Sequence, residues 1–235
     1  MSIIKYSIII QTYNRVKTLI LTLDSICYQT VRPGTYEIII IDDGSTDDTE
    51  QQVACRMSNI ACPAVRYFKI EHSGAARARN SGIKNALGKI LFFTDDDCVV
   101  PRNWMETLIN GYLKYPDVSG VGGWHKPANK NLARMYLQRY LSFQQSRVTP
   151  SLDDNEVKSN LFFHNFAGNT SNMSYKKEIF RELGGFDENI YFTGLIDWEF
   201  KMRAQICRHY LLYLPIFVSH FKKMTLVTFM RKHFN

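Results

Sequence analysis

Through about the first hundred positions, short apolar runs that end in polar or acidic residues alternate with segments of helical period. Ser7–Ile10 reads as a buried strand, broken at Thr12–Asn14. From Arg15 to about Gln29, Leu19, Leu23, Ile26 and Cys27 recur at helical spacing and share one face. Arg32-Pro33-Gly34 is a turn. Tyr36–Ile41 is almost unbroken in apolar β-branched residues, as in a strand covered on both faces. It ends in the polar stretch Asp42–Thr49, after which Glu50–Met57 is a helix capped by Asp or Thr. Val65–Ile70 is a third strand. Ser73-Gly74 opens a helix through Ala86, with Gly88 as its stop, and the strand at Ile90 follows. Such an alternation predicts right-handed βαβ units and a parallel sheet flanked by helices, an α/β fold.

The strand at Ile90–Phe93 runs into three consecutive acids, Asp95, Asp96 and Asp97, and Trp104–Tyr115 then reads as a helix. Adjacent carboxylates repel one another and leave water at high cost, so a cation is the natural companion. Oxygen ligands of this kind suit a hard divalent ion, magnesium or manganese. In open α/β sheets ligands bind outside the carboxyl ends of the strands. Asp42-Asp43 also ends a strand, so the two acidic clusters fall on one edge of the sheet.

Beyond about Gly120 the regular alternation is lost. Leu132–Phe143 is an amphipathic helix and Thr149–Lys158 a polar, mobile loop. Ala167–Ser174 is a strand, Lys177–Leu183 a short helix, Gly184–Glu188 a turn and Asp197–Gln205 a helix. His209–His220 is extended but broken at Pro215, and Lys223–Phe234 is an amphipathic basic tail.

Composition narrows the partners. With 45% apolar and 22% charged residues in 235, the chain is expected to fold and not to be disordered. A net charge of +7 favours anionic partners, but no basic repeat or aromatic-basic motif points to nucleic acid. The five cysteines are odd in number and form no CxxC pair, which speaks against a disulfide framework or zinc site and for a reducing compartment. Cys27 and Cys207 are expected in the core. No secretory signal is visible at the start, and Tyr210–Val218 is too short to span a bilayer. A cytoplasmic location is expected, with room for peripheral contact with an anionic membrane on its inner face.

The residues resemble the family 2 glycosyltransferases, inverting enzymes with a GT-A fold. Ser7–Arg15, Ile41–Thr49, Gly74–Asn80, Phe93–Asp97, Gly184–Glu188 and Asp197–Phe200 carry the resemblance, by their order and spacing together. It implies one domain over residues 1–235, with a nucleotide-sugar half over about 1–120 and an acceptor half over about 121–235. It places the nucleotide base, usually uracil, against Thr12, Tyr13, Asp42 and Asp43. Asp43 is favoured as the contact, because a carboxylate facing the ring N–H discriminates uracil. Arg77 or Arg79 would approach the diphosphate. Asp95–Asp97 resemble the family's DxD, one acid on ribose and one on Mn2+ or Mg2+, in either of two registers. Asp95 and Asp96 are thus candidates for the donor, and Asp96, Asp97 and His220 for the metal.

Asp197 matches the general base, with Asp187 and Glu199 as rivals; the Glu that often precedes it is Ile196 here. The implied donor is a UDP-sugar and the implied acceptor a glycan or lipid-linked hydroxyl, in surface polysaccharide synthesis. A nucleotidyltransferase or dehydrogenase is disfavoured, since Gln11–Arg15 contains no glycine. A binding protein without turnover is the alternative that Ile196 keeps open.

Overall fold

The computed structural model describes residues 3–58, 63–127, 157–159 and 169–221. The expected helix at Leu132–Phe143, most of the loop before Lys158 and the basic tail lie outside the described residues.

The chain begins with strand β1 (Tyr6–Thr12), helix α1 (Val16–Cys27), β2 (Tyr36–Asp42), α2 (Thr49–Ser58), β3 (Ala64–Lys69), α3 (Ala75–Asn85) and β4 (Ile90–Asp95). A two-residue strand β5 (Cys98–Val99), α4 (Trp104–Lys114), β6 (Val118–Pro127) and β7 (Val157–Ser159) follow. The remaining elements are β8 (Met173–Lys176), α5 (Lys177–Leu183), α6 (Thr193–Ile206) and β9 (Tyr210–His220). One sheet runs in the order β3-β2-β1-β4-β8-β6-β9-β5, with β7 on β9. Its first four strands are parallel, as the alternation predicts; β8 then pairs antiparallel with both β4 and β6.

Alternating isoleucines divide the core between the two faces of the sheet. Ile8, Ile10, Ile38 and Ile40 pack with Leu19, Leu23 and Ile26 of α1 and with Trp104 and Leu108 of α4. Ile9, Ile39 and Ile41 pack with Ala78 and Ile83 of α3, Phe180 of α5 and Phe200 of α6. All seven residues of β2 are buried, which explains its unbroken apolar run.

Several local expectations change. The helix α3 ends at Asn85, with Ala86 already extended, so Gly88 is not its stop. The glycine is needed for closeness instead: a Cβ there would lie 2.5 Å from the Tyr6 carbonyl carbon and 2.6 Å from Ser7 N. Its own N–H donates to Ser7 Oγ at 2.9 Å. That hydroxyl in turn donates to the buried Glu37 Oε1 at 2.6 Å. Gly88→Ala should therefore cost about 1–3 kcal/mol, the usual range for overpacking. Urea unfolding at an unchanged m-value would measure it; a midpoint equal to wild type would refute the close-approach account.

Pro215 does not break β9. The pairing shifts between Gly122↔Tyr213 and Trp124↔Phe217, so the exposed proline, which has no N–H, sits in a bulge. Asn172 plugs that bulge, donating to Trp124 O at 2.9 Å and Ile216 O at 3.0 Å. β8 starts at Met173, later than expected, because residues 169–172 form the turn that carries Asn172. Cys27 is in the core but is also disulfide-bonded, and Cys207 is exposed. The odd cysteine count concealed a single bridge, and the inference of a reducing compartment loses its support. Asp197 was expected to open its helix; α6 begins at Thr193, which puts Asp197 in the second turn.

Candidate active site

The parallel register brings the C-terminal ends of β2, β1 and β4 side by side, with Thr12 opposite Asp42 and Gln11 opposite Asp95. The loops beyond them enclose a cavity of about 300 Å³. Thr12, Tyr13, Asp43, Arg79, Asp95, Asp96, Asp97 and His220 line it, together with Gln11, Arg15, His72 and Thr193. Asp42, Arg77 and Asp197 do not.

One end is built from the loops after β1, β2 and β3. Asn14, at φ 53°, ties the first two together: its N–H donates to Ser45 Oγ at 2.9 Å and its Oδ1 accepts from Thr46 N at 2.8 Å. Asp42 and Asp43, consecutive at the end of β2, point to opposite sides, and Gly44, at φ +83°, turns the chain back so that Ser45 reaches Asp42. Asp42 is fully buried and serves the fold, accepting from Ser45 N at 2.7 Å and from the Tyr67 hydroxyl. Burial, followed by that bond, pushes the Tyr67 phenol up. Asp43 instead faces the cavity and accepts from Ser73 N at 2.8 Å and Gly74 N at 3.0 Å. His72 lies 2.9 Å from Asp43 Oδ2 and stacks on Tyr13, with ring centroids 4.2 Å apart at 22°.

The other end is acidic. Thr12 Oγ1 donates to Asp96 Oδ2 at 2.8 Å, and Arg15 Nη1 lies 3.2 Å from both Asp96 Oδ1 and Asp97 Oδ2. Burial pushes the Asp96 carboxyl up to about 7, against the pull of Arg15 and Thr12. Asp95, Asp97, Cys98 and His220 each offer a ligand atom within 4.8 Å of the others. His220 Nε2 is 3.2 Å from Asp97 Oδ1, and the β5–β9 pairing sets Cys98 opposite His220. Two carboxylates and an imidazole fit a divalent cation. Asp96, expected on the metal, is not in this group; its Oδ2 accepts instead from Thr12 at the end of β1. Of the three consecutive acids, Asp95 and Asp97 are the two whose ligand atoms converge with that of His220.

Between the two ends lies Arg79, only 5% exposed. Its Nη2 is 3.4 Å from Asp95 Oδ1 and its Nη1 is 3.6 Å from Asp197 Oδ1. The Gln11 amide, oriented to satisfy both neighbours, accepts from Arg79 Nη2 at 3.3 Å and donates to Ala75 O at 2.9 Å. Asp197 sits behind this arginine and accepts from Thr170 N and Oγ1, each at 3.3 Å. Burial raises its pKa, while Arg79 and Lys201 oppose the rise. Arg77 is outside the cavity, 4.0 Å from Glu188, with 66% of its side chain exposed. Gln11, Arg15, His72 and Thr193 were not singled out from the sequence as site residues. The available signal was position, since every loop after a parallel strand reaches the same edge.

Residues 7–184 match the family described as Glycosyl transferase family 2. Glycosyltransferase AglE of Haloferax volcanii is 26% identical over 192 residues, 82% of this chain and 59% of that protein. S. aureus TarS 1–349, solved in complex with UDP, superposes with a TM-score of 0.68 at 19% identity, over 91% of this chain and 61% of that one. The mannosyltransferase PcManGT from Pyrobaculum calidifontis, solved with GDP-Man and Mn2+, gives a TM-score of 0.70 at 22% identity, over 92% of this chain and 56% of that one. The chain spans less than two thirds of the length of the first relatives it matches, from 16% to 59%. The mixed sheet with its flanking helices is the GT-A fold of those solved transferases, and the chain belongs to glycosyl transferase family 2.

Proposed function

We propose that this glycosyltransferase moves a sugar from a UDP-sugar to a hydroxyl of a glycan or lipid-linked acceptor, with inversion, in surface polysaccharide synthesis. The observation that carries the reading is one cavity joining an aromatic-carboxylate end, Tyr13, His72 and Asp43, to a cation-ligand end, Asp95, Asp97 and His220. In this reading the base lies at the first end. Asp43 is held at that end by the N–H groups of Ser73 and Gly74, and a carboxylate can accept the uracil ring N–H. Asp95, Asp97 and His220 hold the divalent ion, and an imidazole among the ligands suits manganese better than magnesium. Such an ion, when bound, offsets the charge that develops on the departing diphosphate. Arg79 holds Asp95 in place from behind. Asp197 takes the proton of the acceptor hydroxyl; a single displacement needs no enzyme nucleophile.

One domain across residues 1–235 fits a sheet that runs through both halves of the chain. Among the described residues no helix is long and apolar enough to cross a membrane. A cytoplasmic enzyme touching the inner face of an anionic membrane agrees with the net charge of +7. The second reading is a nucleotide-sugar binder without turnover. Asp197 behind Arg79 and the 1% exposed Ile196 favour it.

A melting panel tests the donor. UDP with manganese at a hundred times its dissociation constant should add about 2.7 kcal/mol. GDP and CDP should add less, and UDP without metal should add little. Equal shifts for the three nucleotides would end the uracil assignment. The GDP-Man bound to PcManGT makes that comparison a necessary one.

A further inference from the structure

Neither arginine that the family resemblance offers for the diphosphate is well placed to take it. Arg79 lines the cavity but is only 5% exposed; its Nη2 faces Asp95 and Gln11, while its Nη1, 3.6 Å from Asp197 Oδ1, makes no hydrogen bond among the described residues. It also lies 5.9 Å from the centroid of the Phe186 ring. Turning it onto a phosphate would strip two partly or fully buried carboxylates of their counter-charge, a costly exchange in a dry interior. Arg77 is outside the cavity.

Arg15 differs on each count. It lies between the end of β1 and the start of α1, and half of its side chain is exposed. Nη1 alone makes its contacts to Asp96 and Asp97, both at 3.2 Å. Its Nε and Nη2 make no hydrogen bond among the described residues. It also lines two cavities, the one described above and a neighbour of about 470 Å³ walled by Asn14, Lys17 and Thr18. The side chain therefore borders both cavities, beside the candidate cation ligand Asp97. A guanidinium presents several N–H groups in a fixed fork that matches phosphate oxygens. The two carboxylates restrain it before any ligand arrives, so less rotamer freedom is lost on binding.

We propose that Arg15 is the arginine that binds the diphosphate of the nucleotide-sugar donor, an inference that rests on the function proposed above. One nitrogen stays on Asp96 and Asp97 while the others take phosphate oxygens. The positive charge thus lies next to the bond that breaks, where the departing UDP gains charge. Arg79 is left as the residue that holds Asp95 and Asp197.

The test separates phosphate from base recognition. Binding of UDP and of uridine is measured by calorimetry, the latter by competition, with saturating manganese, on wild type, Arg15→Gln, Arg15→Lys and Arg77→Gln. Arg15→Gln should weaken UDP roughly 10–100-fold, the range for losing charge-assisted hydrogen bonds. Uridine, which has no phosphate, should change less than about twofold. Arg15→Lys should recover part of the UDP affinity, and Arg77→Gln should match wild type. UDP affinity within twofold of wild type in folded Arg15→Gln overturns the proposal, as does an equal loss for UDP and uridine. A wild type that binds neither ligand brings down the donor reading itself, and this proposal with it.

Discussion

Asp97→Asn should remove the manganese-dependent part of UDP binding, while Asp96→Ala should leave most of it. The two acids are neighbours in sequence but not in role. Asp97 belongs to the group in which Asp95, Cys98 and His220 converge, and His220 Nε2 lies 3.2 Å from one of its oxygens. Losing a partner that only orients a ligand commonly costs 10–100-fold in metal affinity, so losing a ligand should cost at least roughly 100-fold. Asp96 is outside that group and accepts from Thr12, while Arg15 contacts both acids. Replacing Asp96 with Ala leaves the buried Thr12 hydroxyl without its acceptor, a cost of about 1–3 kcal/mol. The same change removes a carboxylate that burial and two acidic neighbours disfavour, which offsets much of that cost. Its melting point should therefore lie close to wild type. Titration of manganese into each variant, followed by the electron paramagnetic signal of the free ion, reads the metal directly. If Asp96→Ala loses manganese as completely as Asp97→Asn, the assignment of the cation to Asp95, Asp97 and His220 is wrong.

How far the sequence leads depends on whether a residue's role is local. The strands β1, β2 and β4 are readable because apolar runs covered on two faces look alike wherever they occur. The helix α5 coincides with the predicted Lys177–Leu183, since it is a short polar segment with Ile179 and Phe180 on one side. β8 is harder because it buries polar residues. Ser174 is wholly enclosed and donates to Val121 O at 2.7 Å, so only Met173 and Tyr175 mark the strand by hydrophobicity. In the cavity, both acid clusters and their shared edge are legible from strand ends. The division of labour within each cluster is not. Asp42 and Asp43 are chemically the same, and it is their consecutive positions at the end of β2 that send one into the core and one to the cavity. His72 and Tyr13 meet through loops that follow different strands, and nothing near either in sequence announces the other. Arg15 sits within a recognisable motif, yet its contacts to Asp96 and Asp97 join residues 81 and 82 positions apart in the chain.

Asp197→Asn should reduce turnover by roughly 10²–10⁴-fold while UDP affinity stays near wild type, the signature of a lost general base. A helix-capping role is excluded for this residue, because α6 starts at Thr193 and Asp197 lies a turn inside it. The competing account is positional. Asp197 Oδ1 is 3.6 Å from Arg79 Nη1, so it could serve only to hold an arginine that in turn holds Asp95. The two accounts differ in what else changes. If Asp197 merely positions Arg79, the asparagine variant disturbs Asp95 and the cation ligands, and UDP affinity with manganese falls along with turnover. If it is the base, kcat falls and binding does not. The pH profile gives an independent reading. Burial raises the carboxyl's pKa against the pull of Arg79 and Lys201, and a base must be ionised to accept a proton. Wild-type kcat should therefore rise as pH climbs through that raised pKa, and the residual rate of Asp197→Asn should show no such limb. Asparagine also leaves two buried cations with less compensation, so a modest drop in melting temperature is expected under either account and decides nothing. The outcome that would take the base role from Asp197 is a variant with near-normal kcat and an unchanged acid limb; Asp187 and Glu199 would then be the residues to replace next. A wild type that binds UDP and manganese yet shows no transfer to any hydroxyl offered would instead favour the binder without turnover.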